Sequence, residues 1–464
     1  MNRKLTEFKE SIKGKRVAVL GIGISHIPLI RYLSKLGVDI TAFDKSDENK
    51  LGDTINEFKG LNIKFSLGDD YLKNLIGFDI IFKTPGMRFD LPEIEEARKN
   101  GAQVTSEMEV FFEVCPAQIF AVTGSDGKTT TTTLIYKMLK EQGYNCWLGG
   151  NIGTPLLDRI DEIKDTDKVV LELSSFQLHT MTLSPQVAVV TNLSPNHLDM
   201  HKSMEEYVEA KKNIYLYQTE NDKLILNFDN DITRDFIKEA KGKTVYFSRV
   251  NNIDSGAKTN GEMLVYSNGK GEKEIVNVSD IVIPGVHNIE NYLAAIAAVI
   301  DYVEIDTIRR VATTFKGVEH RIELVRELDG IKFYNDSIAS SPSRTIAGLN
   351  SFKHKVILIA GGYDKKIPYD VMGDVLVNKV KCLVLIGQTA PKIEKALMDE
   401  IHRTGKGKDI IIVRCNTMKE AVVKAYEYAK SGDIITMSPA SASFDMFKNF
   451  EERGRQFKDI VNSM

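Results

Sequence analysis

The sequence predicts an α/β protein of three domains in series, each built on a parallel β-sheet with helices packed against it. The chain has 464 residues, whereas single hydrophobic cores stop growing at about 250–300 residues. Apolar strand-like segments alternate with helical segments, the pattern of parallel sheets with right-handed crossovers. This alternation starts afresh near residues 16, 118 and 318. The predicted domains span residues 1–107, 108–317 and 318–464.

The first domain begins with an apolar strand at 16–21, followed by a glycine turn and a predicted helix over 27–36. Further strands at 38–43 and 79–82 end next to Asp44 and Thr84. Ligands of such sheets bind at the carboxyl ends of the strands.

Gly21 and Gly23 resemble the start of a dinucleotide-binding fingerprint, but His26 stands where its third glycine would be. The turn therefore favours a diphosphate held on a helix N-terminus over NAD. A tight packing turn without a ligand is the alternative.

The second domain begins with a strand at 118–122, the segment TGSDGKTT and a helix closed by Gly143. The residues from about 248 to 280 are rich in Asn, Gly and Ser, which favours hairpins or loops, and 286–303 is predicted to be a helix. The other predicted strands of the second and third domains are 168–173, 187–192, 223–228, 331–336, 355–362, 382–387, 409–415 and 433–438.

The composition excludes several classes of protein. The net charge of −3 provides no basic field for nucleic acid. No apolar run reaches the roughly 18 residues that a membrane helix needs, and the N-terminus lacks the apolar stretch of a signal peptide. The four cysteines are widely scattered, which argues against a disulfide scaffold and fits a reducing cytoplasm. We expect a cytoplasmic monomer that binds neither nucleic acid nor membrane.

The segment from Gly124 to Thr129 has the form G-x-x-G-K-T, between an apolar strand and a helix. Main-chain amides of such a loop surround phosphate oxygens, the lysine neutralises them, and the threonine hydroxyl binds magnesium. The longer general pattern has a glycine where this chain has Val122. We predict that this segment binds a nucleotide; the alternative is a glycine-rich turn with a solvated lysine.

Three residues near the ends of the following strands are weaker candidates when each is considered alone. Glu172 ends a strand and is either a magnesium ligand or a solvated carboxylate. His197 follows the next strand, where a lone histidine is more often a surface residue. Lys211 lies in a predicted helix and is typical of a solvated lysine.

Taken together, the motifs resemble those of the Mur ligases, from residue 16 to the end of the chain and in the order found in that family. The resembling segments are TGSDGKTT, GGNIGTP (149–155), ELSSFQL (172–178), NLSPNHLD (192–199), EHRIE (319–323), YNDSIASSP (334–342), IAGGYDK (359–365) and SPASASFDMFKNFEERG (438–454). The Asp-Ser-x-Ala segment resembles that of the members that add D-glutamate.

The resemblance implies a Rossmann-like UDP-binding domain, a central P-loop ATPase domain and a C-terminal Rossmann-like domain that binds the amino acid. It implies an ADP-forming ligase that joins D-glutamate to UDP-N-acetylmuramoyl-L-alanine (UDP-MurNAc-L-Ala) through an acyl phosphate, in the synthesis of peptidoglycan precursors. ATP and two magnesium ions are the implied cofactors, and Lys211 is implied to carry a carbamate that serves as a metal ligand.

The resemblance also implies roles for particular residues. The catalytic residues are Lys128, Asn151, His197 and Lys211. The metal ligands are Thr129, Glu172, His197 and the carbamate of Lys211. The ATP-binding residues are Gly124, Ser125, Asp126, Gly127, Lys128, Thr129, Thr130, His320, Arg321 and Asp336. The UDP-substrate-binding residues are Gly23, Ile24, Ser25, Asp44, Lys45, Thr84 and Gly86. The amino-acid-binding residues are Ser340, Lys365, Ser443, Phe444 and Phe450.

One position departs from the family pattern. Many members have a lysine that contacts the glutamate where this chain has Ile338, and an isoleucine cannot hold an anion. Either another cation, such as Lys365 or Lys366, replaces it, or the amino acid is held differently. The same chemistry with L-glutamate or another amino acid, and a non-catalytic P-loop switch, are the alternative functions. An NAD oxidoreductase would rest on Gly21 and Gly23 alone.

Overall fold

The computed structural model describes residues 2–23, 25–194 and 202–464, and these form three β-sheets in series along the chain. Contacts divide the chain into two compact units. The first unit contains 1–276 and 290–311, and the second contains 277–289 and 312–464. No helix in the described part of the chain is both long enough and apolar enough to cross a membrane. The domain boundaries at 107 and 317 stay predictions.

The first sheet has five parallel strands in the order β3-β2-β1-β4-β5. The three strands expected from the sequence are confirmed, and two short edge strands, β3 and β5, are additions. Its strands are β1 (Arg16–Leu20), β2 (Asp39–Asp44), β3 (Ile63–Leu67), β4 (Ile80–Lys83) and β5 (Gln103–Thr105). Its helices are α1 (Arg3–Ile12), α2 (His26–Lys35), α3 (Glu48–Asn56), α4 (Pro92–Lys99) and α5 (Glu107–Val114).

The second sheet has nine strands in the order β14-β13-β12-β11-β10-β9-β6-β8-β7. The hairpin expected in the Asn- and Gly-rich region is confirmed, since β12 pairs antiparallel with β13. The strands are β6 (Gln118–Thr123), β7 (Cys146–Gly150), β8 (Lys168–Glu172), β9 (Val187–Val190), β10 (Lys223–Asn227), β11 (Lys243–Ser248), β12 (Ser255–Asn260), β13 (Met263–Asn268) and β14 (Glu272–Asn277). The helices that follow these strands are α6 (Lys128–Glu141), α7 (Ser175–Leu178), α8 (Met204–Lys212), α9 (Asp231–Arg234), α10 (Val286–Val299) and α11 (Ile305–Thr314).

The third sheet has six strands in the order β15-β16-β20-β17-β18-β19, of which only the edge strand β15 is antiparallel to its neighbour. The strands are β15 (Glu323–Leu328), β16 (Ile331–Asn335), β17 (Val356–Ala360), β18 (Val380–Leu385), β19 (Ile411–Arg414) and β20 (Ile434–Met437). The helices are α12 (Pro342–Asn350), α13 (Gly373–Lys379), α14 (Ala390–Thr404), α15 (Met418–Glu427) and α16 (Phe450–Ser463).

Side-chain caps fix the starts of the two helices that carry buried cations. The Ser203 hydroxyl accepts a hydrogen bond from Glu206 N at the start of α8. The Asn449 side chain accepts one from Glu452 N at the start of α16. Such caps satisfy amides that the first helical turn leaves unpaired. They therefore help to fix where Lys211 and Arg453, later on these helices, are placed.

Candidate active site

The predicted phosphate loop joins the carboxyl end of β6 to the N-terminus of α6 and is held by the chain that follows β9. Ser125 N donates to Asn192 O at 2.8 Å, and Asp126 N donates to Asn192 Oδ1 at 3.0 Å. The Thr191 hydroxyl donates to Asp126 O at 2.6 Å. The loop is therefore anchored on a neighbouring strand end before any ligand binds, which lowers the entropic cost of ordering it around a phosphate.

Gly127 is required by the backbone and by its surroundings. Its φ of +77° lies in the left-handed region, which residues with a Cβ enter at a cost. A Cβ at this position would come within 2.2 Å of Asn291 Oδ1. The turn that precedes Lys128 and α6 therefore accepts a Cβ only at the cost of backbone strain and a shift of the Asn291 side chain.

Lys128 is the first residue of α6, and its ammonium donates to Ser125 O at 2.8 Å. The bond folds the side chain back over the loop. A lysine held in this way places a positive charge beside the space enclosed by the loop amides, where a transferring phosphoryl group needs it.

Glu172 and Asn151, predicted from separate motifs, lie together at the ends of β8 and β7. Asn151 Nδ2 donates to Glu172 Oε1 at 2.8 Å. The carboxylate is buried, and its Oε2 has no hydrogen-bond partner among the described residues. Because a buried carboxylate oxygen is costly to leave unpaired, Oε2 fits a cation as its partner.

Lys211 is buried against the phosphate loop, unlike the solvated lysine that its sequence context suggests. Its ammonium donates to Thr123 Oγ1 at 3.1 Å and to Gly124 O at 3.0 Å, and it lies over the Tyr207 ring. Burial, and then repulsion from the Lys128 ammonium, lower the pKa of Lys211 well below its ordinary value, while Glu172 opposes the shift. Such a pKa favours the neutral amine, the nucleophilic form of lysine.

The residues around the loop fit magnesium only if substrate oxygens complete its ligands. Within the described ranges no three His, Cys, Asp or Glu side chains cluster as a metal site. Magnesium is commonly bound by one or two carboxylates together with phosphates and waters. Glu172, with one unpartnered oxygen, suits that arrangement. The predicted ligand His197 lies outside the described residues.

The predicted UDP-substrate residues meet at the carboxyl edge of the first sheet. Asp44 accepts hydrogen bonds from Ile22 N at 2.8 Å and Ser46 N at 2.8 Å, which ties the glycine turn to the end of β2. Thr84 follows β4, and its side chain would be 3.2 Å from a Cβ at Gly21. Gly23 and Ser25 lead into α2, Lys45 is exposed and Gly86 is in the turn after Thr84. Ile24 lies outside the described residues.

A pocket next to this edge contains residues that the motifs did not identify. It lies between the loop after β4 and the short helix α7, and it includes Lys83, Phe89, Phe176 and His179. The buried Lys83 ammonium donates to Met87 O at 3.1 Å and to Thr84 O at 3.3 Å. Burial lowers the pKa of Lys83 to about 8, opposed by Glu109. Lys83 thus holds both ends of the loop that contains Gly86.

The predicted nucleotide-side residues of the third domain form a cluster within the second unit. The Asp336 carboxyl is buried and accepts from Ser438 Oγ at 2.7 Å and from Ile322 N at 3.3 Å. Burial raises its pKa to about 7, opposed by these hydrogen bonds. His320 is buried with φ +63°, and its Nδ1 accepts from Asn335 Nδ2 at 2.9 Å. Arg321 is next to His320 and partly exposed.

The predicted amino-acid residues lie on two loops and at the start of α16. Ser340 and Ile338 are in the loop after β16, and Ser443 and Phe444 are in the loop after β20. Phe444 is exposed and packs edge-to-face on Tyr363, with ring centroids 5.8 Å apart. Lys365 and Lys366, considered as replacements for the missing lysine, are both exposed. Phe450, the first residue of α16, lies edge-to-face against His320 at 6.0 Å.

Three residues of interest were not predicted as site residues: Lys83 and His179 lie outside the quoted motifs, and Arg453 lies within the segment 438–454 but was given no role. Lys83 ends an apolar strand, and a charged residue directly before Thr84-Pro85-Gly86 was a usable signal. Arg453 lies among Glu451, Glu452 and Arg455, a pattern typical of a solvated helix, yet it is only 1% exposed. Its burial depends on loops distant in the sequence.

Three family models match successive parts of the chain. They are the Mur ligase MurD-like N-terminal domain at residues 15–106, the Mur ligase middle domain at 122–299, and the Mur ligase glutamate ligase domain at 320–441. A relative from Acetivibrio thermocellus is 72% identical over 464 residues, covering 100% of both chains. The chain belongs to the Mur ligase family, and its three domains in series are those of that family.

The full-length relatives carry one particular name within the family. The Acetivibrio thermocellus protein is named UDP-N-acetylmuramoylalanine--D-glutamate ligase. Proteins of the same name from Ruminiclostridium cellulolyticum and Clostridium novyi are 63% and 55% identical, each with 100% of both chains covered.

Solved structures of other ligases share the fold. The crystal structure of UDP-N-acetylmuramate-alanine ligase MurC from Thermotoga maritima gives a TM-score of 0.58 at 20% identity, covering 97% of this chain and 99% of that one. A pseudomurein peptide ligase type C from Methanothermus fervidus gives 0.52 at 20% identity, with 97% and 100% covered. At this identity the likeness concerns the fold alone.

Proposed function

We propose that this protein is an ATP-dependent ligase that joins D-glutamate to UDP-MurNAc-L-Ala and releases ADP and phosphate. The observation that carries the proposal is the anchored phosphate loop with Lys128 folded over it, beside the paired side chains Glu172 and Asn151. The name shared by the full-length relatives supports D-glutamate over L-glutamate or another amino acid. Two further domains with sheet-edge sites of their own argue against a simple nucleotide switch.

The chemistry requires a carboxylate to become an acyl donor. The L-alanyl carboxylate attacks the γ-phosphorus of ATP, the bond to the β–γ bridging oxygen breaks, and ADP leaves. The acyl phosphate that forms has phosphate as its leaving group. The glutamate amine then attacks the acyl carbon, loses a proton, and displaces phosphate from the tetrahedral intermediate to give the amide.

The residues of this chain meet the electrostatic demand of the first step, in which two anions approach each other. The amides at the start of α6 and the Lys128 ammonium stabilise negative charge on the transferring phosphoryl group. Asn151 holds the Glu172 carboxylate in place through its amide nitrogen. Magnesium, when bound through Glu172 and Thr129, would neutralise phosphate oxygens further.

We infer that Lys211 carries a carbamate in the active enzyme. Burial favours its neutral amine, which can attack carbon dioxide and lose a proton to give a carbamate anion. An ammonium at this position would repel magnesium, whereas a carbamate is a carboxylate-like ligand. It would also add an acidic ligand to a site where, among the described residues, no three His, Cys, Asp or Glu side chains cluster.

The finer assignments form part of the same proposal. We place the UDP part of the substrate at Gly23, Ser25, Asp44, Lys45, Thr84 and Gly86, and D-glutamate at Ser340, Lys365, Ser443, Phe444 and Phe450. His320, Arg321 and Asp336 are assigned to the nucleotide. His197 and Ile24 keep their predicted roles as metal ligand and substrate contact. A second magnesium ion, a monomeric state and a cytoplasmic location complete the proposal.

A phosphate-release assay tests the function directly. Release should require ATP, magnesium, UDP-MurNAc-L-Ala and D-glutamate together, and mass spectrometry should show the amide product. An amino-acid panel separates the alternatives: equal turnover with L-glutamate would contradict the stereochemical assignment. Turnover without the UDP-substrate would favour a nucleotide switch.

A further inference from the structure

A single buried arginine holds together the loops of the third domain. The Arg453 side chain is 1% exposed and extends from the second turn of α16 between two loops. Its Nε donates to Ser337 Oγ at 3.0 Å, and its Nη2 donates to Ser337 O at 2.8 Å. Its Nη1 donates to Ser441 O at 2.9 Å and to Ala442 O at 3.1 Å. The guanidinium thus forms hydrogen bonds to the loop after β16 on one side and to the loop after β20 on the other.

The partners of this guanidinium distinguish it from an ordinary structural ion pair. No carboxylate in the described part of the chain forms a salt bridge with Arg453; the four oxygens that it contacts belong to main-chain carbonyls and one hydroxyl. Burying a cation lowers the stability of the folded state unless surrounding groups stabilise the charge. The planar fork of arginine fits these four acceptors in a way that lysine cannot.

The residues held by Arg453 lie within three residues, along the chain, of the loop residues assigned to the amino acid. Ser337 lies between Asp336 and Ile338, three residues before Ser340. Ala442 directly precedes Ser443. The Ser337 hydroxyl also donates to Phe450 O at 2.7 Å, which joins the start of α16 to the same arrangement.

The loops also approach each other closely at this point. A Cβ at Gly362, in the loop after β17, would come within 2.3 Å of Ala442 O and 3.3 Å of Arg453 Nη1. A shift of the guanidinium would therefore be transmitted to the main chain on both sides, because there is no free space in which it could be absorbed.

We propose that Arg453 is a positioning residue for the second step of the reaction: it fixes the two loops that bind the incoming amino acid without touching that amino acid itself. The inference rests on the proposed function for the identity of the ligand. We call Arg453, with its partners Ser337, Ser441 and Ala442, the clamp. The clamp keeps Ser340 aligned with Ser443 and Phe444. The phosphate loop and the UDP-substrate residues belong to the first unit and are not held by it.

Two graded variants test the clamp. Arg453→Lys keeps the positive charge but loses the planar set of guanidinium donors. Ser337→Ala removes the hydroxyl, which accepts from Arg453 Nε and donates to Phe450 O. The KM for D-glutamate should rise by roughly tenfold or more in Arg453→Lys, and by a smaller factor in Ser337→Ala. The KM for UDP-MurNAc-L-Ala should change by less than about threefold, and the KM for ATP should rise less than that for D-glutamate, because Asp336, assigned to the nucleotide, is next to Ser337 but is not bonded to Arg453.

A partial reaction provides a second readout. In a single turnover at saturating ATP without amino acid, Arg453→Lys should form ADP from ATP and UDP-MurNAc-L-Ala to the same extent as the wild type, because Lys128, Asn151 and Glu172, which serve the phosphoryl transfer itself, lie in the first unit. Only the later transfer to D-glutamate should slow. A general loss of folding would lower both steps together.

The matched control is Arg326→Lys. Arg326 lies on β15 of the third sheet, and its Nη1 donates to the carbonyls of Val461 and Asn462 at the other end of α16, at 3.0 Å and 3.2 Å. The substitution perturbs two arginine–carbonyl bonds to the same helix at a distance from the two loops held by Arg453. The KM for D-glutamate should be unchanged in this variant.

The outcomes separate the clamp from the proposed function. If wild-type turnover did not depend on D-glutamate, the proposed function would fail. If wild-type turnover depended on D-glutamate but Arg453→Lys left its KM unchanged, or raised all three KM values alike, the clamp would be refuted. If Arg453→Lys did not fold, Ser337→Ala would decide: an unchanged KM for D-glutamate in that variant would overturn the inference.

Discussion

The phosphate loop can be tested by adding one methyl group at Gly127. An alanine there must keep φ near +77°, and its Cβ must avoid Asn291 Oδ1, which would be only 2.2 Å away. Asn291 Oδ1 also accepts a hydrogen bond from the Thr131 hydroxyl at 3.3 Å. The substitution therefore perturbs the turn through backbone strain and through displacement of a side chain that packs on α6.

The expected cost of Gly127→Ala follows from these two effects. A left-handed conformation costs a residue with a Cβ roughly 1–2 kcal/mol, and loss of the Thr131 bond costs about 0.5–1.5 kcal/mol. The sum is about 1.5–3.5 kcal/mol. If the turn stays in place, the cost lowers the free energy of unfolding. If the turn relaxes, the cost weakens ATP binding instead, by up to roughly 10- to 400-fold.

The two quantities are measured together. Urea unfolding gives the stability, and calorimetric titration with a non-hydrolysable ATP analogue and magnesium gives the affinity. The control is Gly143→Ala, just beyond the other end of α6. Gly143 has φ +106°, and no atom of the described residues lies within 4 Å of the position that a Cβ would take there. This variant therefore introduces backbone strain without a clash at the loop.

We expect Gly143→Ala to lose stability while ATP affinity is unchanged, and Gly127→Ala to lose about 1.5–3.5 kcal/mol in stability and affinity combined. A Gly127→Ala protein with wild-type affinity and wild-type stability would refute the geometry of the turn. Loss of affinity in both variants would show that the effect comes from α6 as a whole and not from the phosphate loop.

The remaining predictions concern three buried groups. Lys211→Ala should lose activity and regain part of it with acetate or propionate in the assay, and a folded variant without recovery would contradict the carbamate. Glu172→Gln keeps an acceptor for Asn151 but loses the charge, so the magnesium concentration for half-maximal turnover should rise by roughly tenfold or more; an unchanged value would remove Glu172 from the metal site. Burial raises the pKa of Glu107 to about 7 from an ordinary value of 4.5, so wild-type stability should fall as pH rises from about 4.5 to 7, while Glu107→Gln avoids that loss. Urea unfolding at pH 5 and pH 8 should show the advantage of Glu107→Gln growing with pH by up to roughly 3 kcal/mol, and a constant difference would contradict the raised pKa.

Strand positions could be predicted from the sequence because buried parallel strands are continuous apolar runs. The strands β1, β6 and β17 were predicted within a few residues, since each is buried along almost its whole length. Strand β3 was missed because its residues are only partly buried at the sheet edge. Strand β7 was missed because it ends in two glycines, which are depleted in strands.

Site residues that belong to a short sequence motif could be predicted. Site residues whose role depends on how the chain packs could not. Gly124, Lys128 and Thr129 lie within one short segment, so their spacing alone indicated a phosphate loop. Lys211 and Lys212 are neighbours with the same local context, yet Lys211 is buried at the loop while Lys212 pairs with Glu209 and Glu239. Only the direction in which each side chain leaves α8 distinguishes them.

The two buried cations differ in how their surroundings stabilise the charge. Burial, and then repulsion from the Lys128 ammonium, lower the pKa of Lys211 well below its ordinary value, and the two atoms that accept its hydrogen bonds are neutral oxygens. Burial lowers the pKa of Arg453 to about 10, opposed by Asp445 and Asp336, so Arg453 stays charged at neutral pH and donates to four oxygens. The neutral amine of Lys211 is therefore suited to covalent modification, whereas the charged guanidinium of Arg453 is suited to permanent hydrogen bonding. Exchanging the two residue types would therefore remove both functions, since a guanidinium that stays protonated is not a nucleophile for carbon dioxide and a lysine cannot reach four acceptors in a plane.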